Sequence, residues 1–364
     1  MKNDNMKERI TYIDSLRGLA VLLMIQQHLQ AWLWNVNWLS YTITWPKYPF
    51  MLTMHFLGWF AAPLFIILAG AVAVLMNEAG KTSSEYLKRG LMIIASGYLL
   101  NVLTPNWFKP GSWYVLHTIG FSIIISPVIL RIKNHLLILT AIFMIFISAI
   151  LQTWLKTSLL PGNNDMSNLS LPGGIIRIAF VEGHFPIFPW LSFFITGIII
   201  RRMITENKHI FIFYGSLLIT GSGIFLGSFY YHGYFFATGG KLFRIFVPLH
   251  YFYPPLPPFI FFIMGISLLI FYIFTKSDSL LNKSIFSSLN SLGRSSLSWF
   301  MIHVIVFNQI VWICGLYKFF NATETVIITI ISIILINYLS VKWQKKDYKY
   351  GMEWIINRIN SIKA

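Results

Sequence analysis

The sequence predicts an all-α, polytopic membrane bundle of about ten transmembrane helices with both termini on the cytoplasmic side. Three observations carry that prediction. The 364 residues are 56% hydrophobic and only 11% charged, with a mean hydropathy of +0.66. That leaves too few charges to coat a soluble domain of this size. Uncharged runs recur along the chain, each near the roughly 20 residues that span a bilayer core. The basic residues also alternate, loop by loop, between two sides.

The first span, 15–35, follows a polar start at Met1–Thr11 and is full length, so it reads as a retained helix and not as a cleaved leader. The second, 53–76, ends in a turn marked by Lys81, Lys88 and Arg89. Spans 87–104 and 113–130 lead to Arg131 and Lys133, and spans 135–155 and 186–204 to Arg201, Arg202 and Lys208. Spans 209–230 and 255–275 lead to Lys276, Lys283 and Arg294, and spans 295–316 and 324–342 to a basic tail, 343–364. With the segment 1–13 inside, 21 of the 28 Lys and Arg residues fall on the inner side, the asymmetry typical of cytoplasmic loops. A single domain, 1–364, is expected, since no stretch between spans could hold a soluble unit and no internal repeat is visible.

The formal net charge of +16 therefore records topology and attraction to anionic headgroups, not a nucleic-acid surface. Cys314 is the single cysteine and lies in the ninth apolar run, where it reads as a small buried hydrophobe. A disulfide within the chain and zinc held by cysteines are excluded, and no metal site is expected.

The irregular sequence lies in the outer loops. Loop 1/2, Asn35–Leu52, is rich in Trp and Tyr; loop 5/6 holds Pro161-Gly162-Asn163-Asn164-Asp165 and Pro172-Gly173-Gly174; loop 7/8 holds Gly239-Gly240 and Tyr253-Pro254-Pro255. Their aromatic residues read either as interface anchors or as a platform for a sugar ring. Short re-entrant or interfacial helices are expected in loops 5/6 and 7/8, with Lys241–Phe246 as an amphipathic segment along the interface.

Polar residues inside the spans are the functional candidates, because ionisable groups in a membrane are costly unless they face a cavity or a pathway. Arg17 and His28 stand eleven residues apart on the first helix, close to three turns, so they share a face with about 16 Å of rise between them. Asp14, three residues before Arg17, can pair with it. Of nine histidines, His28, His55, His117, His184, His232 and His250 map to outer helix halves or outer loops, whereas His135, His209 and His303 do not. Imidazole is the natural proton acceptor near neutral pH.

The motifs resemble a known family. Asp14-Ser-Leu-Arg17-Gly18-Leu-Ala with His28, His55 before Ala62-Pro63, Trp113-Tyr-Val-Leu-His117, His184-Phe-Pro-Ile-Phe-Pro189-Trp190, Tyr253-Pro254-Pro255, Gly293-Arg294 with His303, and Gly351-Met-Glu353-Trp354 occur in order. Together they are similar to the heparan-alpha-glucosaminide N-acetyltransferase family and its bacterial relatives, and the Arg17–His28 spacing also resembles acyltransferase-3-type O-acetyltransferases. The animal lysosomal members carry asparagine where His28 stands, so the general base is taken from the second pattern. The resemblance implies an integral protein of the bacterial cytoplasmic membrane. It would transfer an acetyl or other acyl group from cytoplasmic acyl-CoA to an amine or hydroxyl of an extracytoplasmic sugar or glycan, in a lipid setting; a homodimer is implied by family analogy alone.

On that reading His28 is the general base, and His55 an orienting partner, second base or oxyanion donor. His117, His184 and Asn101 are secondary members of the cluster. Arg17 and Arg294 are the cations for the phosphates of acetyl-CoA, while Glu353 and Arg358 read as scaffold. A secondary transporter or flippase with a histidine proton relay is the competing class, followed by a scaffold protein without chemistry.

Overall fold

The computed structural model describes residues 10–36, 47–160, 162, 165–231, 242–247, 252–277 and 286–361. His232, His250, Lys241, Pro161, Asn163, Asn164 and Gly239-Gly240 lie outside them. The described residues form an all-helical bundle: α1 (Thr11–Leu33), α2 (Pro49–Gly58), α3 (Ala61–Glu78), α4 (Ser83–Leu103), α5 (Val115–Ile129), α6 (Asn134–Trp154), α7 (Ile187–Thr205), α8 (His209–Tyr231), α9 (Pro257–Lys276), α10 (Ser287–Arg294), α11 (Ser296–Ile313), α12 (Ala322–Gln344) and α13 (Met352–Ser361).

Helix stands at all ten expected positions. Seven stretches are long and apolar enough to cross a membrane: Pro49–Glu78, which joins α2 and α3, and α6, α7, α8, α9, α11 and α12. The other three differ for visible reasons. α1 carries Asp14, Arg17, Gln26, Gln27, His28 and Gln30, α4 opens on Glu85, Lys88 and Arg89, and α5 has only 15 residues. The polar helices are also the ones the bundle needs inside. α1 packs against α2, α3, α9, α10, α11 and α12, so it is buried nearly all round and shows no single apolar face. By contrast α8 and α12 leave Leu218, Phe225, Ile331 and Ile334 outward, as lipid-facing helices do.

The connections α6–α7 and α8–α9 hold short helical turns at Asp165–Ser167, Gly174–Arg177 and Phe243–Phe246, where short helices are expected. Two details differ from the sequence reading. Arg244 does not lie along an interface; it is buried, and its guanidinium donates to the Thr157 carbonyl. Cys314 is exposed, one residue beyond the last turn of α11, because the helix ends at Ile313 and the chain turns at Gly315 with positive φ.

Candidate active site

The cation-rich end of the bundle is organised by a close helix crossing. A Cβ on Gly18 would lie 2.1 Å from the Leu289 carbonyl oxygen, and one on Gly293 only 1.7 Å from that of Asp14. Glycine at both positions therefore lets the backbones of α1 and α10 touch. That contact brings Arg294 to α1: its Nε donates to Asp14 Oδ2 at 3.1 Å, while Arg17 Nη1 stands 3.8 Å from Asp14 Oδ1. One carboxylate thus serves two guanidiniums from helices far apart in sequence.

Above them opens a cavity of about 710 Å³. Four guanidiniums line it (Arg17, Arg89, Arg201 and Arg294) with three carboxylates, Asp14, Glu78 and Glu353. Arg201 donates to Glu78 at 3.0 Å. Arg89 makes no ion pair with a described residue, and its buried Nε has no hydrogen-bond partner. Glu353 is committed to the start of α11, accepting from the N–H groups of Leu297 (2.6 Å) and Ser298 (3.3 Å) and from the Ser298 hydroxyl. Burial, opposed by those hydrogen bonds, pushes the Glu353 carboxyl above its ordinary value. The lining thus carries one more cation than anion, and most of its remaining wall is apolar, including Val72, Leu75, Val115, Leu116, Ile119 and Phe300.

Further along α1, His28 Nδ1 lies 2.8 Å from Nε2 of His303, the two rings inclined by only 14°. His303 Nδ1 lies 2.8 Å from the Trp299 carbonyl oxygen. A carbonyl only accepts, so His303 carries its proton on Nδ1 and presents a lone pair at Nε2. His28 must then donate from Nδ1, which leaves its Nε2 as a bare lone pair; these tautomers are assigned from hydrogen-bond partners. His303 is fully buried, in the π-helical turn His303–Asn308, whereas His28 is partly exposed between Trp32 and Trp107. The reachable nitrogen is therefore the basic one.

The histidine pair does not line that cavity. Phe300, which lines it, packs edge-on against His303 at 5.6 Å between ring centroids.

The remaining candidates fall elsewhere. His55, near the end of α2, packs edge-on against Trp59. His117 is fully buried, and its Nδ1 accepts the Tyr114 N–H at 3.2 Å, closing the first turn of α5. His184 sits in the turn before α7, which is stitched to the start of α5: the Phe185 N–H donates to the Trp113 carbonyl at 3.2 Å, and the Thr118 hydroxyl donates to the Phe185 carbonyl. Burial holds the His184 imidazole down, at about 4. Asn101 spends its amide on the carbonyls of Pro110 (3.3 Å) and Ser112 (3.0 Å). Asn101 thus ties the end of α4 to the connection before α5, and His117 closes the first turn of α5.

Two residues of this region are not among the site candidates of the sequence: His303, visible there only as an imidazole within a span, and Arg89, which stands among the basic residues of an inner loop. Glu353 holds the start of α11, in keeping with a scaffold role. Residues 9–212 match the model of a family described as heparan-alpha-glucosaminide N-acetyltransferase, catalytic. That stretch covers Arg17, His28 and Arg89, while Arg294, His303 and Glu353 lie beyond it. No curated protein matches the chain.

Proposed function

The chain belongs to the heparan-alpha-glucosaminide N-acetyltransferase catalytic family, which places it among membrane acetyltransferases, and we propose that it carries an acetyl group across the bilayer from acetyl-CoA to a sugar. In this reading all ten long helical positions cross the membrane, with both termini and the cation-rich cavity on the cytoplasmic side. The acceptor is an amine or hydroxyl of an extracytoplasmic sugar or glycan. The observation that carries the reading is the chain from the Trp299 carbonyl through His303 to His28, about 16 Å along α1 from Arg17.

The residues fit the donor. Acetyl-CoA presents phosphates, and Arg89, Arg17 and Arg294 offer them more positive charge than Asp14 can neutralise. The apolar wall suits its slender thioester arm. No glycine-rich phosphate loop is needed, because side chains from α1, α4 and α10 do the holding.

For the transfer, His28 Nε2 accepts the proton of the attacking N–H or O–H as the acceptor atom bonds to the acyl carbon. His28 Nδ1–H is donated to His303 Nε2, so positive charge gained on one ring is shared with the other and steadied by the Trp299 carbonyl. The bond from acyl carbon to sulfur breaks, and His28 Nε2 returns its proton to the departing thiolate. The products are an amide or ester and free CoA. A donor held from inside and an acceptor entering from outside thus need only one shared imidazole.

The test uses the full chain in lipid nanodiscs with radiolabelled acetyl-CoA and a panel of amino and hydroxyl sugars. Label on sugar, lost in His28→Ala while acetyl-CoA binding persists, supports the proposal. Unchanged turnover in that variant removes His28 from the role. Sugar uptake into liposomes with no label transfer would instead establish the transporter class.

A further inference from the structure

The ring that meets both the cavity and the histidine pair is in a position to choose among donors. Phe300 is only 5% exposed and belongs to both compartments: it lines the cavity beside Val115 and Leu116, and it abuts His303. It also belongs to a layer of aromatic rings with Tyr114 and Phe108. Tyr114 is pinned on two sides, its hydroxyl donating to the Gly97 carbonyl at 2.5 Å and its ring stacked on Phe108 at 3.9 Å. Phe300 lies parallel to Tyr114 but 6.4 Å away, and a phenyl ring has no polar atom to anchor it. The helix beneath it passes into a π turn three residues on, a backbone form often found at functional sites.

We propose that Phe300 is the specificity-determining residue for the acyl group: its ring ends the donor cavity, rotates to admit a short acyl thioester to His28, and rejects longer chains for lack of room. The proposal rests on the acyl-transfer reading and adds the residue that limits the length of the acyl chain. Phe300 shares the cavity with the four guanidiniums, so on this proposal a donor held by its phosphates extends its acyl group along the apolar wall toward Phe300. An acyl chain longer by several methylenes must occupy the volume that the ring fills.

The experiment compares acetyl-, butanoyl- and hexanoyl-CoA as donors for the full-length protein in nanodiscs, measuring kcat/KM for each with one sugar acceptor. In Phe300→Ala the ratio of hexanoyl to acetyl kcat/KM is expected to rise by about tenfold or more, since a few methylenes in an apolar pocket are worth at least that. Phe300→Leu, the milder change should the alanine variant fail to fold, shifts the ratio the same way by about threefold. A purely structural role would lower all three donors together. A ratio in the folded variants within about twofold of wild type overturns the proposal while leaving the acyl-transfer reading intact. Absence of transfer from any donor in the wild-type protein overturns both.

Discussion

The two histidine clusters of this protein contain the same side chain in opposite circumstances. His117, in the Trp113–Gly120 motif, is sealed from solvent, its Nδ1 taken by a backbone N–H, while His184 is held in a turn stitched to that motif. His28 has one nitrogen engaged by another imidazole and the second left as a lone pair on a partly exposed ring. Burial and hydrogen bonding are present in both clusters. What differs is whether the network ends in the backbone or in an accessible basic atom. Only the second arrangement leaves a lone pair on a partly exposed ring.

Substitutions that break this contrast are expected to differ greatly in effect. His28→Ala should reduce acetyl transfer by about 10³-fold, within the range for removal of a general base, with labelled acetyl-CoA binding retained. Turnover within about tenfold of wild type would place the base elsewhere. His303→Ala leaves the base but frees its Nδ1, and transfer measured the same way should fall by about 10²-fold, as when the group orienting a reacting imidazole is lost.

Arg89→Gln, on α4, tests the cation-rich cavity. It should raise the KM for acetyl-CoA by about tenfold with little change in kcat, the loss of roughly one charge-assisted hydrogen bond. A change confined to kcat would detach Arg89 from donor binding. His117→Ala, in contrast, should cost about 1 kcal/mol of stability, read as a lower Tm, because what disappears is one hydrogen bond that closes the first turn of α5.

The smallest effect concerns Glu353. Its carboxyl is raised in the folded protein, so the stabilisation linked to its proton is fully present below the ordinary carboxylate value and fades as pH rises through the raised one. Glu353→Gln removes that titration. Thermal unfolding in detergent from acid to neutral pH should show wild type losing Tm relative to the variant as pH increases. A constant difference between the two would show that Glu353 does not titrate in that window.

Much of the fold was readable in advance, because membrane spans are a local property. A run of about 20 apolar residues must satisfy its own backbone as a helix wherever it lies in lipid. For the same reason the Arg17–His28 face was readable: eleven residues on one helix share a side regardless of their surroundings. His303 was not, because it reaches His28 across 275 positions of sequence, and its role depends on which carbonyl fills its other nitrogen. Arg89 was equally opaque. A basic residue next to a span looks the same whether it faces water or a cavity wall.

Composition, helical period and the alternation of basic loops thus determined that this chain is a membrane bundle with a polar stripe along its first helix. Tertiary structure alone decided which polar groups meet and which atoms remain unpaired, and it set an aromatic ring of the cavity wall against an imidazole. The physical reason is one of range: helix formation and membrane partition are summed over neighbours in sequence. A lone pair or an unpartnered guanidinium is what remains after distant helices have taken their hydrogen bonds.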